Sequence, residues 1–127
     1  DNRPMKTKSI IFALALVMTA TVGTGNAFAE DTEKVFQFYC AQCHGAEGDG
    51  KGINVTEDFP VTPRAFNNAT EMDKLTDADL RNVIREGGPI ASKSEMMPPW
   101  GKTLSDADID GLVKKLRDLC QCKGKQG

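Results

Sequence analysis

The chain has one histidine, one tryptophan and one tyrosine in 127 residues. A single imidazole excludes any centre that needs two histidines from this chain. Basic excess is also missing: 16 Lys and Arg stand against 18 Asp and Glu, a formal net charge of −2. The lysines are scattered among acids rather than gathered into a stripe, which excludes nucleic acid as a partner. No run alternates β-branched and aromatic residues with polar ones, so there is no strand signal. A repeat is suggested only by Leu75–Leu80 and Leu104–Ile109. Shared helix capping explains that likeness without duplication.

Long apolar runs are absent except near the start. Met5 to Lys8 is a short cationic segment, Ile10 to Val22 is apolar, and Asn26-Ala27-Phe28-Ala29 ends in a small-x-small cleavage pattern. This reads as a secretory signal peptide cut after Ala29, with Asp1 to Pro4 upstream of the first methionine. A retained anchor is the competing reading, but Gly23, Gly25 and Asn26 break the uncharged stretch. Residues 1–29 are therefore assigned to the leader and 30–127 to one small exported domain, with no stable membrane anchor after cleavage. A core of that size is marginal without a staple. Removing the leader's bases makes the domain more acidic, which favours a partner with a basic docking face.

What the chain does have is Cys40-Ala41-Gln42-Cys43-His44. C-x-x-C-H is the attachment sequence of a c-type haem: two thiols add to the two vinyl groups of one porphyrin, and the adjacent imidazole ligates the iron. Such a cofactor is also the staple the small core lacks.

Glu33 to Cys43 carries Val35, Phe36, Phe38 and Tyr39 on a short helical pattern leading into the motif. From Gly45 to Ala69 periodicity vanishes among glycines and prolines, as in a loop wrapped on a cofactor. Thr76-Asp77-Ala78-Asp79 and Ser105-Asp106-Ala107-Asp108 each place a hydroxyl at an N-cap and acids in the first turn. The helix after Thr76 presents Leu80, Val83 and Ile84 and stops at Gly87-Gly88-Pro89. The one after Ser105 presents Ile109, Leu112, Val113, Leu116 and Leu119, a core stripe.

With no second histidine, the sixth iron position falls to sulfur. Met72, Met96 and Met97 are the candidates, and Met97 is preferred because Pro98-Pro99 holds the backbone extended there. Otherwise these methionines fill core gaps. Lys93 is a further, weaker ligand candidate. Trp100 is expected against the porphyrin edge, with its indole N–H toward a propionate. Arg64 is a second propionate candidate, and a carbonyl between Pro60 and Pro63 is expected to accept the His44 Nδ1 proton.

Taken together these residues resemble a class I c-type cytochrome, the small single-haem domain found as periplasmic carriers and within respiratory oxidase subunits. The resemblance rests on Val35-Phe36, Cys40 to Gly45, Gly48-Asp49-Gly50, Glu86-Gly87-Gly88, Met97-Pro98-Pro99-Trp100-Gly101 and Leu104-Ser105-Asp106. It implies an all-α cytochrome c fold, three to four short helices wrapped around one haem c. Thioether bonds then fall on Cys40 and Cys43, proximal ligation on His44 and distal ligation on Met97. The implied role is single-electron exchange between periplasmic redox proteins of a respiratory chain, not enzymatic catalysis. Thr32 and Lys115 depart from the family, which commonly has glycine and an aromatic where the terminal helices cross. Looser packing of the termini is the expectation.

Cys120-Gln121-Cys122 is left over. In an exported chain the pair reads first as a local disulfide in a tight ring, then as an intermolecular bond or two free thiols. Three rival functions remain. Cys40, Cys43, Cys120 and Cys122 are the right number for a Cys₄ zinc module. A haem with displaceable Met97 makes a sensor or the electron-entry subunit of a larger redox complex. Cys120 and Cys122 as a working pair make a thiol–disulfide enzyme.

Overall fold

Ser105 and Thr76 start the two main helices as their sequences predict. In each, the hydroxyl accepts from the backbone N–H three residues on, and the aspartate there accepts from the capping residue's own N–H. Each such cap contributes about 1 kcal/mol. The computed structural model describes residues 27–126, so the leader assignment, apart from Ala27 to Ala29, lies outside the described residues.

The order is α1 (Ala27–Val35), a π-helical turn (Phe36–Cys40), α2 (Ala41–His44), α3 (Ala69–Met72), α4 (Asp77–Glu86), a 3₁₀ turn (Gly88–Ala91) and α5 (Asp106–Cys120). No strand occurs among the described residues. The first three pieces are continuous, so the helix expected over 33–43 is longer and contains a widened turn just before the attachment motif. The 3₁₀ turn had no periodicity to announce it, being four residues that begin with Gly88-Pro89 and are capped by Ser92.

α5 is the spine. Its Ile109, Leu112, Val113 and Leu116 are buried with Phe36 from the N-terminal helix and Leu80 from α4. Arg117 ties the turn between α3 and α4 to this spine. Its side chain is only 11% exposed, with Nε on Asp77 Oδ1 at 2.8 Å, Nη1 on the Met72 carbonyl at 2.9 Å and Nη2 on the Leu75 carbonyl at 2.7 Å. A buried guanidinium with three oxygen acceptors is satisfied rather than orphaned.

The terminal crossing corrects the expectation of loose packing. Thr32 stands where a glycine is common, but α5 supplies the small residue instead. A Cβ built on Gly111 would lie 2.5 Å from Thr32 Oγ1, so the helices approach closely at that point. Lys115 has a second function there: Nζ is 2.6 Å from Glu33 Oε2 and 5.4 Å from the centre of the Phe36 ring. Its aliphatic stem reaches across the crossing while its charge is paired. The bonds from Lys115 and Gln37 hold the Glu33 carboxyl below the usual carboxylate range.

Cys120 and Cys122 are joined in a disulfide, the first of the readings from sequence. Beyond it the tail folds back, with Gly124 N–H donating to Asp73 Oδ1 at 2.9 Å and Lys125 N–H to the Leu75 carbonyl at 3.0 Å.

Candidate functional site

A four-residue helix such as α2 leaves its C-terminal carbonyls without intrahelical partners. The loop that follows supplies them. Gly50 N–H donates to the His44 carbonyl at 2.8 Å, Gly52 N–H to Cys43 at 3.1 Å and Asn54 N–H to Gln42 at 2.9 Å. The loop is thus fastened rung by rung to the backbone that carries Cys40, Cys43 and His44. Residue 52 must be glycine for steric reasons, since a Cβ there would collide with the backbone of Ala41 and Gln42. Backbone cannot move aside as a side-chain tip can. Gly52→Ala is therefore expected to cost about 3 kcal/mol, the top of the range for overpacking, read as a lowered urea midpoint with an unchanged m-value.

His44 is held on two sides. Its ring stacks on Phe66 with centroids 4.3 Å apart, and Nδ1 lies 3.0 Å from the Arg64 carbonyl. A carbonyl only accepts, so Nδ1 carries the proton and Nε2 keeps its lone pair. The acceptor was expected between Pro60 and Pro63, and the structure moves it one residue on. The Pro63 carbonyl is turned toward Gly50 instead, 2.7 Å from where a Cβ there would sit, so the next carbonyl along faces the ring. Burial pushes the imidazole down from its ordinary value, so the ring is neutral at pH 7.

In front of this motif opens a cavity of about 1020 Å³. Cys40, Cys43 and His44 lie on its wall, and Met97, Trp100 and Arg64 from other parts of the chain line it too. All six candidate residues therefore meet around one space. Burial pushes the free Cys40 thiol up, to about 12.

The methionines separate clearly. Met72 is fully buried in the core and is not part of the cavity wall. Met96 lines the mouth but is 50% exposed. Met97 is half-buried, and its backbone is fixed at both ends, N–H to the Ser94 carbonyl at 3.3 Å and carbonyl from Gly88 N–H at 2.9 Å. Lys93 lines the cavity as well, its N–H bonded to the Gly88 carbonyl.

Trp100 meets Tyr39 edge-on with centroids 5.0 Å apart, and Tyr39 meets Phe38 in the same manner at 4.8 Å. Arg64 Nη1 is 4.0 Å from Glu71 Oε2, and both side chains border the cavity. Phe66 and Tyr39 were not singled out from sequence. Tyr39 showed only as part of a helical pattern, and Phe66 sits in the aperiodic loop, so neither had a signal for its partner. Leu80, Ile84, Leu112 and Leu116, read as core faces, are also cavity wall.

Among the described residues no group of three or more His, Cys, Asp or Glu converges on a metal position. With Cys120 and Cys122 bonded to each other, the Cys₄ zinc reading has lost half its ligands. The cavity fits a porphyrin in donor chemistry as well: two thiols and a neutral imidazole with a free Nε2 on one stretch of chain, a thioether on another, and apolar walls between.

An all-helical shell around a cavity bearing C-x-x-C-H defines a small class I c-type cytochrome domain, an electron-transfer protein. The chain belongs to the family described as cytochrome c oxidase, cbb3-type, subunit III, which matches residues 27–114. It is similar to the solved structure of the KustC0563 c-type cytochrome, at 27% identity and a TM-score of 0.56, over 69% of this chain and 95% of that one. No curated protein matches. Members of the family carry covalently bound c-type haem. No helix among the described residues is long and apolar enough to cross a membrane.

Proposed function

We propose that this protein is an exported, periplasmic single-electron carrier with one haem c, attached through Cys40 and Cys43 and ligated by His44 and Met97. The observation that carries the reading is the shared cavity, with a pre-oriented His44 Nε2 on one strip of wall and a backbone-anchored Met97 on another. When bound, the haem supplies a one-electron couple. The chain does the rest. The Arg64 carbonyl fixes the His44 tautomer, Phe66 holds the ring, and the Gly88 and Ser94 bonds hold the Met97 segment so that little moves between oxidation states. Arg64 and Trp100, both on the cavity wall, are the residues that would receive the propionates. An acidic surface suits a redox partner with a basic docking face, through steering more than affinity.

A second reading, the electron-entry subunit of a larger redox complex, is favoured by the family description, which names an oxidase subunit. Both readings use the same site and differ in whether the domain works free or assembled.

The test is an absorption spectrum of the purified protein, oxidised and reduced, followed by denaturation and an intact mass. Sharp reduced bands, the weak sulfur-to-ferric-iron band, and one haem retained through denaturation are expected. Loss of haem on denaturation rejects covalent attachment. A missing sulfur band in the native protein rejects Met97. Rapid carbon monoxide binding to the reduced protein points instead to a sensor.

A further inference from the structure

The Cys120–Cys122 disulfide closes a ring over the single residue Gln121 at the end of α5, and electron transfer at the haem gives it no task. Gln121 has φ 50°, the left-handed conformation in which helices commonly place glycine at this point. Ring and helix cap are therefore one device, and the covalent bond holds a residue where its side chain is disfavoured.

The two sulfurs have unlike surroundings. Cys120 is buried, 4% exposed, with the Arg117 carbonyl 3.4 Å from Sγ and the Cys122 carbonyl at 3.9 Å. Those oxygens are acceptors for a thiol and repel a thiolate. Cys122 is half-buried, and Arg117 Nη1 lies 3.7 Å from its Sγ, a cation that favours a thiolate. Cys122 is the less buried of the two and stands beside a cation, and Cys120 is placed to hold a proton.

We propose that Cys120–Cys122 is a thiol–disulfide exchange site for an exported dithiol reductant, with Cys122 the sulfur attacked. The reductant's thiolate bonds to Cys122 Sγ, the Cys120–Cys122 bond breaks, and the Cys120 sulfur leaves with the electron pair. It takes up a proton from the reductant's other thiol and turns its S–H to the Arg117 carbonyl. The second reductant thiolate, now deprotonated, attacks the reductant sulfur of the mixed disulfide and expels Cys122 as a thiolate beside Arg117. Two electrons have passed from the dithiol, which ends as a disulfide, to the two cysteines. Opening the ring also loosens the tail, whose Lys125 N–H shares the Leu75 carbonyl with Arg117, and Leu75 is part of the cavity wall.

The test uses the haem-loaded full chain, poised in mixtures of reduced and oxidised dithiothreitol, quenched with acid, alkylated with iodoacetamide and mapped by peptide mass. Labels on Cys120 and Cys122 with the native absorption spectrum retained are the expected result. If both stay unlabelled until denaturant is added, the disulfide is a structural staple and the proposal fails. Labels on Cys40 and Cys43 count separately, against covalent haem and not against this site. In single-thiol variants at pH 7, Cys122 of Cys120→Ser should alkylate at least about tenfold faster than Cys120 of Cys122→Ser. Equal or reversed rates overturn Cys122 as the attacked sulfur.

Discussion

Met97→Ala will lower the reduction potential by roughly 0.2 V, a modest part of the span of about 0.8 V that axial ligands cover. The thioether is a soft ligand that favours the reduced iron, and neither water nor an amine replaces that preference. The same change leaves the distal side open, so carbon monoxide and cyanide should bind rapidly where the native protein resists them. Met96→Ala is the control. Met96 is half exposed at the mouth, and its removal should change the potential little and leave the iron closed. Potentiometric titration followed in the visible bands measures both variants. If Met96→Ala produces the large shift and Met97→Ala does not, the ligand is Met96. If neither does, Lys93, which also borders the cavity, becomes the candidate.

Phe36→Ala is expected to cost about 3–5 kcal/mol, the range for emptying a buried aromatic site. Phe36 has no exposed surface, packs on Phe66 with centroids 6.4 Å apart and has Lys115 over its face. It stands at the start of the π turn, where the terminal helices, the haem motif and the loop residue behind His44 meet. The loss is a large share of the total stability of about 5–15 kcal/mol of small domains, so the urea midpoint of the apoprotein should fall markedly. In the holoprotein, guanidinium denaturation followed at the haem band should show the midpoint falling steeply. Phe36→Leu, which keeps most of the volume, should lose under about 1.5 kcal/mol. Equal losses in the two variants would show that the aromatic face toward Phe66 and Lys115, not the filled volume, is what matters.

Helices α4 and α5 were legible almost to the residue because their starts are local. A hydroxyl, an aspartate three positions on and an apolar stripe are enough to set them, whatever packs against them later. The attachment motif was legible for the same reason: the porphyrin's vinyl spacing fixes three residues within five. The loop from Gly45 to Asn68 was legible only as an absence of periodicity. Its actual order comes from hydrogen bonds to α2 carbonyls and to Gly48, which join residues without a shared pattern. The π turn was invisible because no residue type between Phe36 and Cys40 marks a widened turn.

Thr32 shows how a position read alone misleads. Its departure from the family pattern pointed to a loose crossing, but closeness belongs to the pair of helices, and Gly111 on the other side restores it. The His44 acceptor missed by one residue for a similar reason, since which carbonyl faces the ring depends on where Pro63 turns against Gly50.

The sequence by itself determined the helical class, the two capped helices, the covalent haem motif and the restriction of the sixth ligand to a few candidates. Each is written in contiguous residues and governed by short-range chemistry. Only the tertiary structure decided that Met72 belongs to the core and Met97 to the cavity. It also decided that Arg64 presents its carbonyl to His44 and that Gly111 replaces a missing glycine. Those relations join residues far apart along the chain, and only packing against a common core fixes which of them meet.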